Sequence, residues 1–185
     1  MDGVEETWEQ SYQKFVLPGL KLGRILSILP EDRLFLHVLD VKGSPSRTAG
    51  HFRAVWLLIP AGQRDSMKAH WHAKSPRLCL RVEISNSWVK SKWRSAQTDL
   101  CGCEIKLNAS EFAQMPEDVS KFIIGHEFGH VLQWALCDQR MTDSTAEGEV
   151  EADADRFAVG LGLNKIAHME WKVARFVKKS FRERK

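Results

Sequence analysis

The amino-acid sequence predicts an α+β fold, because strand-like segments dominate its first two thirds and helical segments follow. The chain has 185 residues, 43% of them hydrophobic, which suits one domain with a single core. Between residues 34 and 108, short apolar segments alternate with polar loops, as strands do. From Pro116 onwards, apolar residues recur at helical spacing. We expect one domain over residues 1–185, with a small mixed sheet of about four strands packed on helices.

The expected elements of the first two thirds follow from periodicity and turn residues. An amphipathic helix is predicted over residues 4–17, where Pro18 and Gly19 end the pattern. Apolar or alternating segments predict four strands, over residues 34–40, 52–59, 77–85 and 101–108. The polar segments between them predict loops, over residues 42–50, 60–76 and 86–99.

Three helices are expected in the last third. Pro116 suits the first position of a helix, and acidic residues follow it, so we predict a helix to about Cys137. A capping-box spacing predicts a second helix over about 145–160. Asn164 can cap a last, basic helix over about 165–185.

Composition excludes several classes of protein. The net charge of +3 is too small to indicate a nucleic-acid or membrane partner by itself. The acidic N-terminus has no apolar signal region, and the longest apolar run, residues 54–59, is far short of the ~20 residues of a membrane span. We therefore expect a soluble, cytoplasmic protein without a transmembrane segment, whose four cysteines are free thiols.

The most informative stretch reads IIGHEFGHVLQW, over residues 123–134. On a helix His126 and His130 share a face one turn apart, so both rings can bind one metal ion, with Glu127 beside them. This is the H-E-x-x-H pattern of zinc metalloproteases, in which zinc activates a water and the glutamate takes its proton. The rest of the helix is apolar nearly all round and so predicted to be buried, where uncompensated polar groups are costly. Two satisfied core histidines and an ion-paired glutamate are the structural alternative.

A catalytic zinc takes three protein ligands. An extended motif with a third histidine is excluded, because positions 133 and 136 are Gln and Leu. Residues 151–158, EADADRFA, match the form E-x-x-A-[DN]-x-F-A. With the H-E-x-x-H motif, this resembles the gluzincins, in particular soluble ImmA/IrrE-type peptidases and the M48 peptidases. The resemblance implies that Glu151 is the third ligand and that Asp155 steadies a zinc-bound histidine. Glu149 opens a competing register, which fails at the aromatic position.

The resemblance covers roughly residues 100–160. It implies a zincin-like fold, one zinc ion per chain, and hydrolysis of peptide bonds in a protein or peptide substrate, with a single specific target left open. It also implies an edge strand that pairs with the substrate before the active-site helix, for which residues 104–107 are the candidate. Membrane helices typical of M48 proteases are not expected here, and residues 159–164, VGLGLN, depart from the ImmA/IrrE pattern.

The main alternative is a catalytically inactive zincin-like protein that binds nucleic acid or a protein partner through its basic C-terminal helix. The aromatic and basic residues of 86–99 leave nucleic-acid contact open in the same way. His168 lies where some gluzincins keep a residue that stabilises the oxyanion, although a surface histidine is the commoner outcome. His70 and His72 are expected in a loop.

Overall fold

A computed structural model describes residues 24–26, 36–40, 46–74, 80–85, 96–98, 104–136 and 147–182. The N-terminal helix predicted over 4–17 and all four cysteines lie outside these residues. The described elements form an α+β arrangement. The strands are β1 (Arg24–Leu26), β2 (Leu36–Asp40), β3 (Leu80–Ser85), β4 (Ala96–Thr98) and β5 (Glu104–Asn108). The helices are α1 (Ser46–Leu58), α2 (Ala61–Lys74), α3 (Ala109–Gln114), α4 (Glu117–Leu136), α5 (Glu147–Gly160) and α6 (Lys165–Arg182).

The five strands form one mixed sheet in the order β1-β2-β3-β5-β4. The central strands β2, β3 and β5 are parallel, whereas β1 and β4 run antiparallel at the two ends. In β3, the alternating residues Leu80, Val82 and Ile84 are fully buried, and Ile105 and Leu107 of β5 lie beside them in register. The sheet therefore presents one apolar face to the core, as a period of two requires. Among the described residues, three of the four expected strands are present, and the strands β1 and β4 were not predicted.

The prediction of a strand over residues 52–59 is wrong, and so is the second half of the loop predicted over residues 42–50, because helix α1 covers Ser46–Leu58. Phe52, Val55, Trp56 and Ile59 are buried, and their spacing of three, one and three residues follows one helix face. The β-branched and aromatic content indicated a strand, but tertiary packing favoured the helical period. Phe52 and Trp56 both pack against the ring of Phe128 on α4.

The loop predicted over residues 60–76 is also wrong, since residues 61–74 form α2. The carbonyl of Pro60 accepts bonds from the backbone N–H groups of Gln63 and Arg64, so proline opens this helix. His70 and His72 consequently lie on a helix. The short helix α3 was not predicted, although Asn108 caps it by accepting a bond from the backbone N–H of Glu111.

The three C-terminal helices confirm the sequence predictions to within a few residues. Helix α4 is buried on most of its surface and packs against α1, α5 and α6. Gly129 of α4 lies against the backbone of Ala154, so α4 and α5 approach closely at this point. Gly162, at φ +80°, makes the turn after α5, and Asn164 accepts a bond from the backbone N–H of Ala167 to cap α6.

The predicted edge strand is corrected by the strand order. Residues 104–107 lie in β5, which is paired with β3 on one side and β4 on the other. Among the described strands, the one at this edge of the sheet is β4, a three-residue strand inside the segment predicted as a loop. Among the helices that the structure describes, none has both the length and the apolar composition needed to cross a membrane.

Candidate metal centre

Helix α4 brings the two histidines of the H-E-x-x-H motif together. The Nε2 atoms of His126 and His130 lie 3.0 Å apart, with the two rings nearly perpendicular. His130 is buried and His126 is half-buried, so bulk water does not fully surround either ring. The i, i+4 spacing thus gives two nitrogens directed at one point.

Helix α5 brings Glu151 to the same point. Its Oε2 atom lies 3.2 Å from Nε2 of His126, and its Oε1 atom lies 3.6 Å from Nε2 of His130. One ligand atom from each of the three residues lies within 4.8 Å of the others. Both glutamates are exposed, but Glu149, the competing candidate, does not belong to this group. The structure therefore brings together the three residues that the sequence assigned to the metal.

Each histidine ring is oriented by a hydrogen bond at Nδ1, the ring nitrogen that does not face the other histidine. For His126 the partner is Asp155, whose Oδ1 atom lies 2.8 Å away, as the sequence resemblance implied. Asp155 in turn contacts Nζ of Lys165 at 2.8 Å through its other oxygen. Burial acts to raise the pKa of Asp155, but the bonds from Lys165 and His126 lower it overall, so this carboxyl is ionised at neutral pH.

For His130 the partner is Gln133, whose Oε1 atom lies 3.0 Å from Nδ1. The amide nitrogen of the same side chain donates to the carbonyl oxygen of Val150 at 2.7 Å. Gln133 therefore links the second histidine to the backbone of α5, one residue before Glu151. The sequence analysis did not assign this role to Gln133, although a residue three positions after His130 shares its helix face.

These two contacts determine the tautomers of the rings. The ionised Asp155 can only accept, so Nδ1 of His126 donates to it. Because the Gln133 nitrogen donates to a carbonyl, its oxygen is the acceptor, and Nδ1 of His130 must donate as well. If the rings are neutral, Nε2 of each carries a lone pair, and these two atoms face each other at 3.0 Å. Such a pair is stable only when a metal ion or a proton lies between the nitrogens.

The geometry and the donor set fit zinc. With bonds of about 2.0–2.1 Å, tetrahedral ligand atoms lie about 3.3 Å apart. The three separations measured here, 3.0, 3.2 and 3.6 Å, bracket that value. Two imidazole nitrogens and one carboxylate are also a known ligand set of catalytic zinc sites, which leave a fourth position for water.

Charge complementarity at the site follows from the same contacts. Burial alone would lower the pKa of His126, but the carboxylates of Glu151, Glu127 and Asp155 raise it overall. When the His126 ring is protonated at Nε2, its contact with Glu151 lowers the pKa of that carboxyl against the effect of burial. The site thus favours positive charge between the rings, as a cation site should.

Glu127 is buried beside this group and is contacted by the edge strand. The hydroxyl of Thr98 on β4 donates to its Oε2 atom at 2.5 Å. Burial raises the pKa of Glu127, and the Thr98 bond and the two histidine rings oppose that rise. A carboxyl group with a raised pKa beside a metal site is suited to accept and release a proton.

His168 is neither a surface residue nor in a described contact with the three ligand residues. Its ring stacks on Phe122 with the centroids 5.0 Å apart, and it is half-buried. Burial and the nearby Lys172 lower its pKa to about 4, so the ring is neutral at pH 7. A role at the oxyanion stays a prediction.

Sequence reasoning missed three residues that contact the site: Thr98, Gln133 and Lys165. Thr98 and Lys165 gave no signal, because each reaches the site through strand order or a turn that the sequence does not specify. Comparison with protein-family models, curated proteins and solved structures found no match to this chain.

Proposed function

We propose that this protein is a zinc-dependent metalloprotease that hydrolyses peptide bonds. The observation that carries the proposal is the convergence of the two histidine Nε2 atoms, 3.0 Å apart, with the Glu151 carboxylate. His126, His130 and Glu151 would hold one zinc ion per chain. Among the residues that the structure describes, these three form the ligand group, and two histidines with one carboxylate are a donor set of catalytic zinc centres.

When bound, zinc supplies a Lewis acid that lowers the pKa of a coordinated water and polarises a carbonyl group. Glu127 then takes the proton of the attacking water and delivers it to the leaving amine. Thr98 holds the carboxylate of Glu127 in place, and Asp155 and Gln133 hold the two histidine rings. Each of these side chains therefore has a defined part in orienting the reacting groups.

The position of strand β4 favours a peptide as the substrate. Strand β4 ends the sheet next to Glu127, and its Thr98 contacts that residue directly. An extended peptide paired with the outer edge of β4 would lie alongside the reacting groups, with backbone hydrogen bonds giving affinity. This assigns to β4 the role that the sequence analysis gave to residues 104–107.

The alternative is a zincin-like protein that binds metal without catalysis. The surroundings of Glu127 argue against it, because a structural site needs no buried carboxyl next to its ligands. Burying Glu127 is costly unless its charge is compensated, and its contact with Thr98 is not needed for the ligand geometry.

The experiment compares the zinc-loaded chain with Glu127→Gln and with Glu149→Gln, an exposed control on α5. Each is incubated with a denatured cell lysate, and new peptide N-termini are identified by mass spectrometry. We expect cleavage by the chain and the control, and a loss of about 10²–10⁴-fold in Glu127→Gln with zinc content unchanged. Equal cleavage by Glu127→Gln would show that Glu127 is not the base. If the chain cleaves only a single native protein, Glu127→Gln should bind that protein without cleaving it.

A further inference from the structure

One face of helix α6 packs against the rest of the domain, and another, apolar face is exposed to solvent. Ala167 and Trp171 pack against the core, and Arg175 forms a bidentate ion pair with Glu111 of α3. These positions recur every four residues, so they define the side of the helix that is fixed to the domain.

The opposite side carries a continuous run of large apolar side chains, which we name the apolar stripe. Their positions differ by three or four residues, and their exposed fractions range from 45% to 69%. The stripe consists of Ile166, Met169, Val173, Phe176 and Val177. On a helical wheel its centre lies roughly opposite the face that packs on the core. A clustered apolar surface of this kind marks an interaction site rather than an ordinary protein surface.

Positive charge is concentrated on the same helix. Residues 165–182 contain six Lys or Arg and one acidic residue, Glu170, a net of +5. The whole chain is +3, so the remainder carries −2. Lys165 and Lys172 are exposed along one border of the stripe. An exposed apolar stripe on a basic helix, with lysines along one border, is the pattern of helices that lie in the interface of an anionic membrane.

The positive charge of α6 also distinguishes an anionic membrane from a second copy of the chain and from nucleic acid as the partner of the stripe. A second copy of the chain would bring two helices of net +5 together, which is unfavourable. Nucleic acid would be attracted by the lysines but would leave the aliphatic side chains of the stripe without an apolar partner. An anionic lipid surface matches both features, because acyl chains cover the stripe while lipid headgroups face the lysines.

We propose that α6 binds the surface of an anionic bilayer through the apolar stripe. The helix lies flat in the interface and does not cross it, with the core-packed side and the metal centre facing away from the lipid. Lys165 at the start of α6 bonds to Asp155, so this surface and the metal site are joined through one ion pair. The binding is independent of the proposed hydrolysis.

The experiment measures sedimentation of the full chain with vesicles of phosphatidylcholine containing 30% phosphatidylserine, and with vesicles of phosphatidylcholine alone. We expect binding to the anionic vesicles that weakens as salt is raised, and much weaker binding to the neutral ones. Ile166→Ser combined with Val173→Ser should lower the partition coefficient by about 100-fold, since each lost side chain is worth roughly tenfold. Lys172→Glu should lower it by about tenfold or more.

Two controls match these variants. Val159→Ser removes an exposed valine of α5 outside the stripe, and Arg53→Glu reverses an exposed charge on α1. Both should bind vesicles as the unaltered chain does, and all variants should keep its circular dichroism spectrum.

Three results would overturn the proposal. The first is absence of binding to anionic vesicles at low salt. The second is a dimer in analytical ultracentrifugation that Ile166→Ser with Val173→Ser dissociates, which would assign the stripe to a second copy. The third is a Val173→Cys thiol that resists a maleimide in the monomer without vesicles, which would show that the chain covers its own stripe.

Discussion

Replacing Gly129 with alanine tests how closely the helices α4 and α5 must approach for the three ligands to meet. Gly129 lies between His126 and His130 in sequence, on the side of α4 that faces α5. A Cβ atom at this position would lie 2.7 Å from the Cα of Ala154 and 3.1 Å from its carbonyl oxygen. These are backbone atoms, so the clash cannot be relieved by rotating a side chain.

The magnitude follows from those distances. Carbon atoms in contact lie about 3.5–4.0 Å apart, so α5 must move away by about 0.8 Å. Overpacking of this kind lowers the free energy of unfolding by about 1–3 kcal/mol, and the higher helix propensity of alanine raises it by about 1 kcal/mol. We expect the zinc-free protein to lose about 1 kcal/mol of unfolding free energy. Because metal–ligand distances tolerate only about 0.2 Å, the displaced Glu151 should weaken zinc binding at least tenfold.

Gly125→Ala is the matched control in the same helix. Its Cβ would meet the end of the Leu163 side chain, which can rotate, and would lie 3.4 Å from the Cβ of Ala158, an ordinary contact. The stability of both variants is measured by urea unfolding without zinc, and the zinc dissociation constant by competition with a chromogenic chelator. If Gly129→Ala binds zinc as tightly as Gly125→Ala and unfolds at the same urea concentration, the close approach of α4 and α5 does not set the site geometry.

Three further predictions address the side chains around the centre. Gln133→Leu removes the bonds to His130 and to the Val150 carbonyl, so zinc affinity measured by chelator competition should fall about 10–100-fold; an unchanged affinity would contradict this role. Thr98→Val leaves the Glu127 carboxyl without its hydroxyl donor, and urea unfolding of the zinc-free protein should show a loss of about 1–3 kcal/mol. The folded pKa of His168, about 4, lies below its ordinary value of 6.5, so the unfolded chain binds the proton first and stability falls as pH drops from 6.5 to 4. For a half-exposed ring we expect a total of about 1 kcal/mol over this window, and zinc-free His168→Phe should lose that part of its acid sensitivity in urea unfolding.

The helices that carry the centre were predictable because their signals are local. The spacing of His126 and His130 places them on one face whatever surrounds the helix. The choice of Glu151 over Glu149 came from the resemblance, and the fold places Glu151, not Glu149, beside both histidines. Asn164 caps α6 through a side-chain bond that lies within four residues of sequence.

The errors arose where the signal depended on packing or on strand order. The segment 52–59 has strand-like composition, and its helical period becomes decisive only because Phe128 of α4 packs against Phe52 and Trp56. The position of β4 outside β5 is a property of the whole sheet, and no residue of Ala96–Thr98 indicates it. For the same reason the contact between Thr98 and Glu127 could not be predicted from sequence.

The most direct test of the proposed centre is the zinc content of the purified chain by elemental analysis after dialysis against zinc. It is measured beside Glu151→Ala and Glu149→Ala, which remove two carboxylates two residues apart on the same helix. We predict one zinc per chain for the unaltered protein and for Glu149→Ala, and a clear loss of zinc in Glu151→Ala. A well-folded chain that retains no zinc, or a Glu151→Ala variant that holds it as tightly as the unaltered protein, would contradict the three-ligand site.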